Sequence, residues 1–130
     1  MAKEKTSLYF LKFSDDFRSF KSGETIFAEG APGYTMYVVR SGKVDLHHDG
    51  AVLETVEPGS IFGEMALIDH TVRSATAVAQ TDCEVVPVDG DKFQFLIQQT
   101  PYFAVDVMRI MSRRLRAANR ERSKTGIMHP

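Results

Sequence analysis

Turns that contain glycine recur through the first two thirds of the chain and leave only short segments between them. Four of them pair glycine with serine, aspartate or proline, at Ser22-Gly23, Ser41-Gly42, Asp49-Gly50 and Pro58-Gly59. The intervening segments are rich in β-branched and aromatic residues, which favour extended strands. About seven or eight short, regularly spaced strands predict a mainly β fold, a barrel or jelly roll rather than a parallel sheet. The predicted strands cover residues 17–20, 25–28, 34–40, 43–47, 51–56, 74–80 and 83–88.

Two helices are predicted after Val88, where the pattern changes. Asp91 is expected to cap a helix that ends near Gln99. Thr100-Pro101 suits the first positions of a longer helix with one apolar stripe, formed by Phe103, Val107, Met108, Met111 and Leu115. At 130 residues the chain is expected to form one domain. Its predicted parts are an N-terminal segment (1–16), a β-rich body (17–89) and C-terminal helices (90–122).

Charge is distributed unevenly, although the formal net charge is only −1. Residues 1–108 carry a net charge of −7, and residues 109–130 carry +6. Near-neutrality argues against a protein that binds a bulk polyanion. The long helix is strongly cationic, and its arginines are interpreted either as a solvated face or as an element that closes over a small anion: Arg109, Arg113, Arg114, Arg116 and Arg120.

Composition narrows the class of protein. Apolar residues make up 43% of the chain and charged residues 25%, which is ordinary for a globular domain. The longest apolar runs are only a few residues, so neither a membrane span nor a signal-peptide core is expected. Cys83 is the single cysteine, which excludes an intrachain disulfide. These features predict a cytoplasmic protein.

The segment from Pro58 to Thr76 interrupts the strand pattern and carries the chemistry. Gly63 allows a ligand to approach the backbone, and the amides of the next residues, Glu64, Met65 and Ala66, are donors at a helix N-terminus that favours an anion. Arg73 offers a fork suited to phosphate, and Ser74 offers a hydroxyl donor. Glu64 would repel a phosphate but can accept hydrogen bonds from a sugar hydroxyl. The segment therefore predicts a small ligand with one phosphate and a ribose.

Three motifs resemble the cyclic nucleotide-binding domains of cAMP receptor proteins, cAMP-dependent kinase regulatory subunits and cyclic-nucleotide-gated channels. They are residues 62–68 with 73–75 (FGEMALI and RSA), residues 23–30 (GETIFAEG) and residues 36–44 (MYVVRSGKV). The resemblance implies an eight-stranded β-roll, a short phosphate-cassette helix within residues 61–76, and C-terminal helices of which the last lies over the nucleotide. It also implies a cAMP- or cGMP-binding regulatory module that acts as a stand-alone sensor.

Residue roles follow from this resemblance. Glu64 would hold the ribose 2′-hydroxyl and Arg73 the cyclic phosphate, with Gly63, Met65, Ala66 and Ser74 supplying donors around them. Val72 replaces the proline that many members carry before the arginine. At the position after the arginine, Ser74 resembles the residue of the cAMP receptor protein, which favours cAMP as the ligand. The lid contact to the base is expected from Arg114, Arg116 or Asn119.

Several alternatives stay open at this point. Glu64 and Arg73 could form a plain surface ion pair, or the fold could serve only protein contact. His47-His48 beside Asp49 could indicate a cupin-like metal enzyme, although adjacent strand residues point to opposite faces. No catalytic arrangement emerges, so we expect a non-enzyme without a metal. Only ten residues follow Arg120, so DNA binding by this chain alone is not expected, whereas the long helix could contact an effector or a second copy.

Overall fold

The computed structural model describes residues 14–124 of the chain, with side chains described as far as residue 120. Of the predicted N-terminal segment (1–16), all but the last three residues lie outside this range. Eight strands and three helices follow one another: β1 (Arg18–Phe20), β2 (Thr25–Phe27), β3 (Met36–Ser41), β4 (Val44–His48), β5 (Ala51–Val56), β6 (Ile61–Phe62), α1 (Glu64–Asp69), β7 (Thr76–Ala79), β8 (Cys83–Val88), α2 (Gly90–Gln99) and α3 (Tyr102–Lys124).

The strands form two four-stranded antiparallel sheets that together make a β-roll. One sheet has the order β1-β8-β3-β6, and the other has the order β2-β7-β4-β5. Consecutive strands alternate between the sheets, as in a jelly roll, except for β4 and β5, which pair with each other in one sheet. The predicted mainly β fold with flanking helices is therefore confirmed. The short strand β6, which pairs Tyr37 with Phe62, lies in the segment for which the sequence predicted only an interruption.

The hairpin between β4 and β5 forms at Asp49-Gly50, one of the turns predicted from sequence. Asp49 and Gly50 both adopt left-handed backbone angles, with φ of 52° and 78°. Positive φ at both central residues matches the twist of the flanking strands, which is why Asp-Gly favours a two-residue hairpin. This hairpin forms one wall of the candidate site.

The core consists of two apolar clusters. Between the sheets, Val39, Val44, Phe62 and Val85 are completely buried. The second cluster joins β3 and β8 to the helices through residues such as Val88 and Phe103. Because α2 and α3 share this second cluster, the C-terminal helices pack on the β-roll.

The starts of both long helices differ from the prediction. Asp89, and not Asp91, caps α2, because its side chain accepts a hydrogen bond of 2.9 Å from the Lys92 amide. Thr100 is the C-cap of α2. Its carbonyl accepts from the Phe103 amide at 2.9 Å, and α3 begins at Tyr102.

The predicted apolar stripe of α3 is wrong at two positions. Phe103, Val107 and Ile110 face the core, and each is at most 3% exposed. Met108 and Leu115 are 60% and 62% exposed, because the helical period that buries residues 103, 107 and 110 turns them away from the core.

No helix among the described residues is long and apolar enough to cross a membrane.

Candidate functional site

A cleft of about 1070 Å³ opens between the cassette helix α1, the β4–β5 hairpin and the middle of α3. All six residues predicted in the cassette line it: Gly63, Glu64, Met65, Ala66, Arg73 and Ser74. Of the three predicted lid residues, Arg114 lines the cleft. Arg116 and Asn119 are exposed and do not. The structure therefore brings the cassette residues and one lid arginine to a single cavity.

The N-terminus of α1 opens into this cleft. Gly63 precedes the helix with a φ of 80°, a left-handed angle that favours glycine. No side chain caps the first turn, and the first amides of a helix have no partners within it. The backbone thus leaves donors for an anion beside the Glu64 carboxylate.

Arg73 is a buried cation in the wall of the cleft. Its side chain is only 5% exposed, and its guanidinium lies 4.0 Å above the centre of the Phe27 ring. Nη1 donates a 3.1 Å hydrogen bond to the Gly63 carbonyl, whereas the buried Nε has no partner within the described residues. Burial lowers the pKa of Arg73, but a guanidinium stays protonated in proteins. The result is a positioned positive charge with an unused donor.

Gly33 packs against this guanidinium and provides a test of its position. A Cβ at Gly33 would overlap Nε of Arg73, and its distance to the Arg73 Nη2 atom would be only 2.6 Å.

We therefore expect Gly33→Ala to displace the guanidinium and weaken binding of a phosphate ligand roughly tenfold, because charge-assisted hydrogen bonds depend on geometry. Titration calorimetry checks this, with Gly30→Ala as the control. A Cβ at Gly30 meets no atom within 4 Å, although its φ of 85° adds local strain. Equal affinity in wild type and Gly33→Ala would contradict the packing.

Glu64 is also buried, at 3% exposure, but its partner is not the one considered above. The alternative of a surface ion pair between Glu64 and Arg73 is wrong. Oε1 of Glu64 instead accepts a 2.8 Å hydrogen bond from Nη1 of Arg114, which reaches down from α3. The ion pair thus connects the cassette helix to the helix that covers the cleft.

Glu54 completes this connection. Its carboxylate on β5 accepts from Nε of Arg114 and from Nη2 of Arg113, both at 2.8 Å. Nη2 of Arg114 also donates to the Ile61 carbonyl at 2.7 Å. Burial alone would lower the pKa of Arg114, but the two glutamates raise it. A network of two carboxylates and two guanidiniums therefore holds α3 on the β-roll.

The described residues also match a known protein family. The family model for the cyclic nucleotide-binding domain covers residues 17–100, from the start of the β-roll to the C-cap of α2. The chain belongs to this family. The resemblance indicated by the three sequence motifs is confirmed.

Individual members of the family support this assignment. The cyclic AMP receptor protein of Thermus thermophilus is 38% identical over 109 residues, which are 80% of this chain and 50% of that protein. The crystal structure of the Thermus thermophilus catabolite activator protein has a TM-score of 0.75 and 35% identity over 92% of this chain and 57% of that one. A structure from work on a cyclic-GMP-dependent signalling pathway in bacterial phytopathogenesis has a TM-score of 0.73 and 28% identity, over 88% of this chain and 98% of that one. The chain spans about half the length of the curated relatives it matches first.

The histidine pair on β4 is not built as a metal site in this cyclic nucleotide-binding domain. Nδ1 of the exposed His48 lies 3.0 Å from Oε2 of Glu29, and this hydrogen bond, with the charge of Asp49, raises the pKa of His48. Within residues 14–124, no three histidine, cysteine or acidic side chains converge on a point that could hold a metal ion. Cys83 is buried in the core, and burial raises the pKa of its thiol.

Acid should weaken the contact between Glu54 and α3. Burial tends to raise the pKa of Glu54, but hydrogen bonds and charge from Arg114 and Arg113 outweigh it and hold the pKa below its ordinary value of 4.5. A depressed pKa contributes stability above the unfolded-state pKa, which is lost as pH falls through the folded-state pKa. We expect the free energy of unfolding of wild type, relative to Glu54→Gln, to decline as the pH is lowered below about 4.5. Denaturant titrations of both proteins between pH 7 and pH 3 check this, and a constant difference would contradict it.

Proposed function

We propose that this cyclic nucleotide-binding domain is a sensor that binds a cyclic mononucleotide, with cAMP preferred, in the cleft beneath α3. The observation that carries the proposal is Arg73, a buried cation whose Nε has no partner in the described part of the chain, beside a first turn of α1 that no described side chain caps. A cyclic phosphate supplies one negative charge for the guanidinium and acceptor oxygens for Nε and for the first amides of α1. The function proposed is binding and regulation, and no catalytic step is assigned to the site.

The remaining parts of the nucleotide have matching surfaces in the cleft. Glu64, at the first turn of α1, offers its carboxylate as the acceptor for the ribose 2′-hydroxyl. Beyond it the cleft is largely apolar, with walls formed by Val52, Leu53 and Ala118, and such surfaces suit the face of a purine base. Preference for cAMP rests on Ser74 and on the similarity to the Thermus thermophilus cyclic AMP receptor protein.

The sensing element in this proposal is α3. An acidic body of −7 offers no long-range attraction for an anion, whereas the C-terminal 22 residues carry +6. Arg114 reaches the cassette from α3, so a ligand at Glu64 changes the surroundings of that helix. Ligand binding shifts the helix only if the contacts of the ligand differ between two helix positions. A ribose hydroxyl that shares Glu64 with Arg114 favours the position in which α3 is docked.

Isothermal titration of the full chain with cAMP, cGMP and 5′-AMP tests the proposal. Binding of cAMP, weaker binding of cGMP and little binding of 5′-AMP are expected, because 5′-AMP carries extra charge and lacks the cyclic phosphate geometry. A ligand that binds only the folded chain also raises Tm, so cAMP should raise the melting temperature. Undetectable binding of both cyclic nucleotides would overturn the proposal.

The alternative function is a domain that keeps the fold for protein contact without a ligand. Its support is the apolar surface of α3, where Met108 and Leu115 are more than half exposed although they line the same cleft. This alternative predicts no rise in Tm with either cyclic nucleotide. Contact with an effector or a second copy through α3, a stand-alone role and a cytoplasmic location stay predictions, and DNA binding by this chain alone is not proposed.

A further inference from the structure

Glu54 lies at the centre of the contact between α3 and the β-roll, although no cassette motif contains it. Arg114 makes four hydrogen bonds in this contact, of which two go to Glu54, one to Glu64 and one to the Ile61 carbonyl. The Glu54 bonds occupy Nε and Nη2, which leaves only Nη1 directed at Glu64. Glu54 therefore accepts two of the three hydrogen bonds that Arg114 donates to carboxylates in this contact.

The sharing of the Arg114 donors between Glu54 and Glu64 determines how many oxygens of Glu64 remain open. Arg114 occupies Oε1, and Oε2 receives no hydrogen bond from the side chains and amides of residues 14–120. Oε2 of Glu64 is thus left to accept a hydrogen bond from a hydroxyl group. A guanidinium that turned its whole fork toward Glu64 would occupy both oxygens, because the geometry of arginine and carboxylate favours paired parallel bonds.

The charges of these side chains also favour an open oxygen on Glu64. Arg114 lies between the carboxylates of Glu54 and Glu64, whereas Arg113 pairs with Glu54. Without the Glu54 charge, Glu64 would be the one remaining carboxylate partner of Arg114 among the described residues. Glu64 would then be drawn into pairing with α3 rather than left open to the cleft.

We propose that Glu54 is a positioning residue that anchors Arg114 and so reserves one oxygen of Glu64 for the ribose 2′-hydroxyl while α3 stays docked. This inference rests on the proposed function, since it assigns how that same site recognises ribose. Glu54 acts through Arg114 and does not itself touch the sugar. Its role is to let the helix contact and the ribose contact coexist on one carboxylate.

The test compares cAMP with 2′-deoxy-cAMP, because their affinity ratio reports the ribose contact alone. Titration calorimetry on the full chain is run for wild type, Glu54→Gln and Glu54→Asp. Glu84→Gln is the matched control: Glu84 also pairs with an arginine, at 3.3 Å from Arg40, but does not line the cleft. Hydrogen exchange of the α3 amides, measured without ligand on the same proteins, reports docking of the helix.

A hydrogen bond to a charged group sets the expected size of the ratio. Wild type and Glu84→Gln should prefer cAMP by about tenfold, and Glu54→Gln by less than about threefold, mainly through weaker cAMP binding. Glu54→Asp keeps the charge and should restore part of the preference. Exchange in α3 should become faster in Glu54→Gln and stay unchanged in Glu84→Gln.

Two failures are distinguishable. Wild type that binds no cyclic nucleotide would overturn the proposed function and this inference with it. Wild type that binds with the expected ratio, together with an unchanged ratio in Glu54→Gln, would overturn only the role of Glu54. A loss of affinity for both nucleotides by the same factor would also overturn it, since that pattern indicates a structural effect without a change in ribose recognition.

Discussion

Arg73→Met is expected to lower the affinity for cAMP by about 30-fold or more, because removal of one partner of a desolvated charge pair costs about 2–5 kcal/mol. The same substitution should leave the unliganded protein at least as stable as wild type. Arg73 is buried, its Nε has no partner within the described residues, and burial lowers its pKa. A methionine side chain keeps contact with the Phe27 ring and removes the cost of the buried charge. Calorimetry and thermal melts measure the two effects separately.

Arg40→Met is the matched control for this prediction. The Arg40 guanidinium lies 4.1 Å above the Phe17 ring, much as Arg73 lies above Phe27. Arg40 lies on β3, in the sheet that does not contain Phe27, and does not line the cleft. Its loss should reduce stability, since it also pairs with Glu84, and should leave cAMP affinity within about twofold of wild type. Equal loss of binding in both variants would show that Arg73 acts through the fold and not on the phosphate.

Phe103→Ala is expected to reduce the free energy of unfolding by about 3–5 kcal/mol, the range for a buried phenylalanine replaced by alanine. Phe103 is completely buried at the start of α3, and its ring meets that of Phe93 edge-on at 5.6 Å. It belongs to the cluster that includes Val88 of the β-roll and Leu96 of α2. The cavity left by the ring would therefore loosen α3 from both. Chemical denaturation at pH 7 measures the loss.

Phe95→Ala separates burial from residue type. Phe95 lies on α2, close to Phe93 in sequence, but is 58% exposed. Its replacement should change stability by less than about 0.5 kcal/mol, as is usual at the surface. A similar loss in both variants would contradict the account in which α3 is anchored through its buried face.

The parts of the molecule that could be predicted from sequence are those encoded locally. Strand positions followed from turn residues, and Asp49-Gly50 forms a hairpin because its backbone angles are set by the two residues themselves. The cassette was found for the same reason. Gly63, Glu64 and Arg73 lie within eleven consecutive residues, so helix-terminus chemistry and an arginine could be read together.

The parts that could not be predicted depend on long-range packing. Glu54 is separated from Arg114 by 60 residues, and no local pattern indicates that β5 and α3 meet. Met108 and Leu115 fit an apolar period but are exposed, because the choice between two overlapping stripes is made by the β-roll and not by the helix. Asp89 and Asp91 are both acceptable caps by residue type, and the end of β8 decides between them.

A crystal structure of the full chain with bound cAMP would show whether Arg73 and Glu64 hold the nucleotide. We expect the cyclic phosphate at the first turn of α1, with an oxygen about 3 Å from the Arg73 guanidinium, and the ribose 2′-hydroxyl about 3 Å from Glu64. Arg114 should still contact Glu54 in that complex. A nucleotide bound outside the cleft, or one whose phosphate leaves Arg73 in contact only with Phe27 and Gly63, would contradict this expectation.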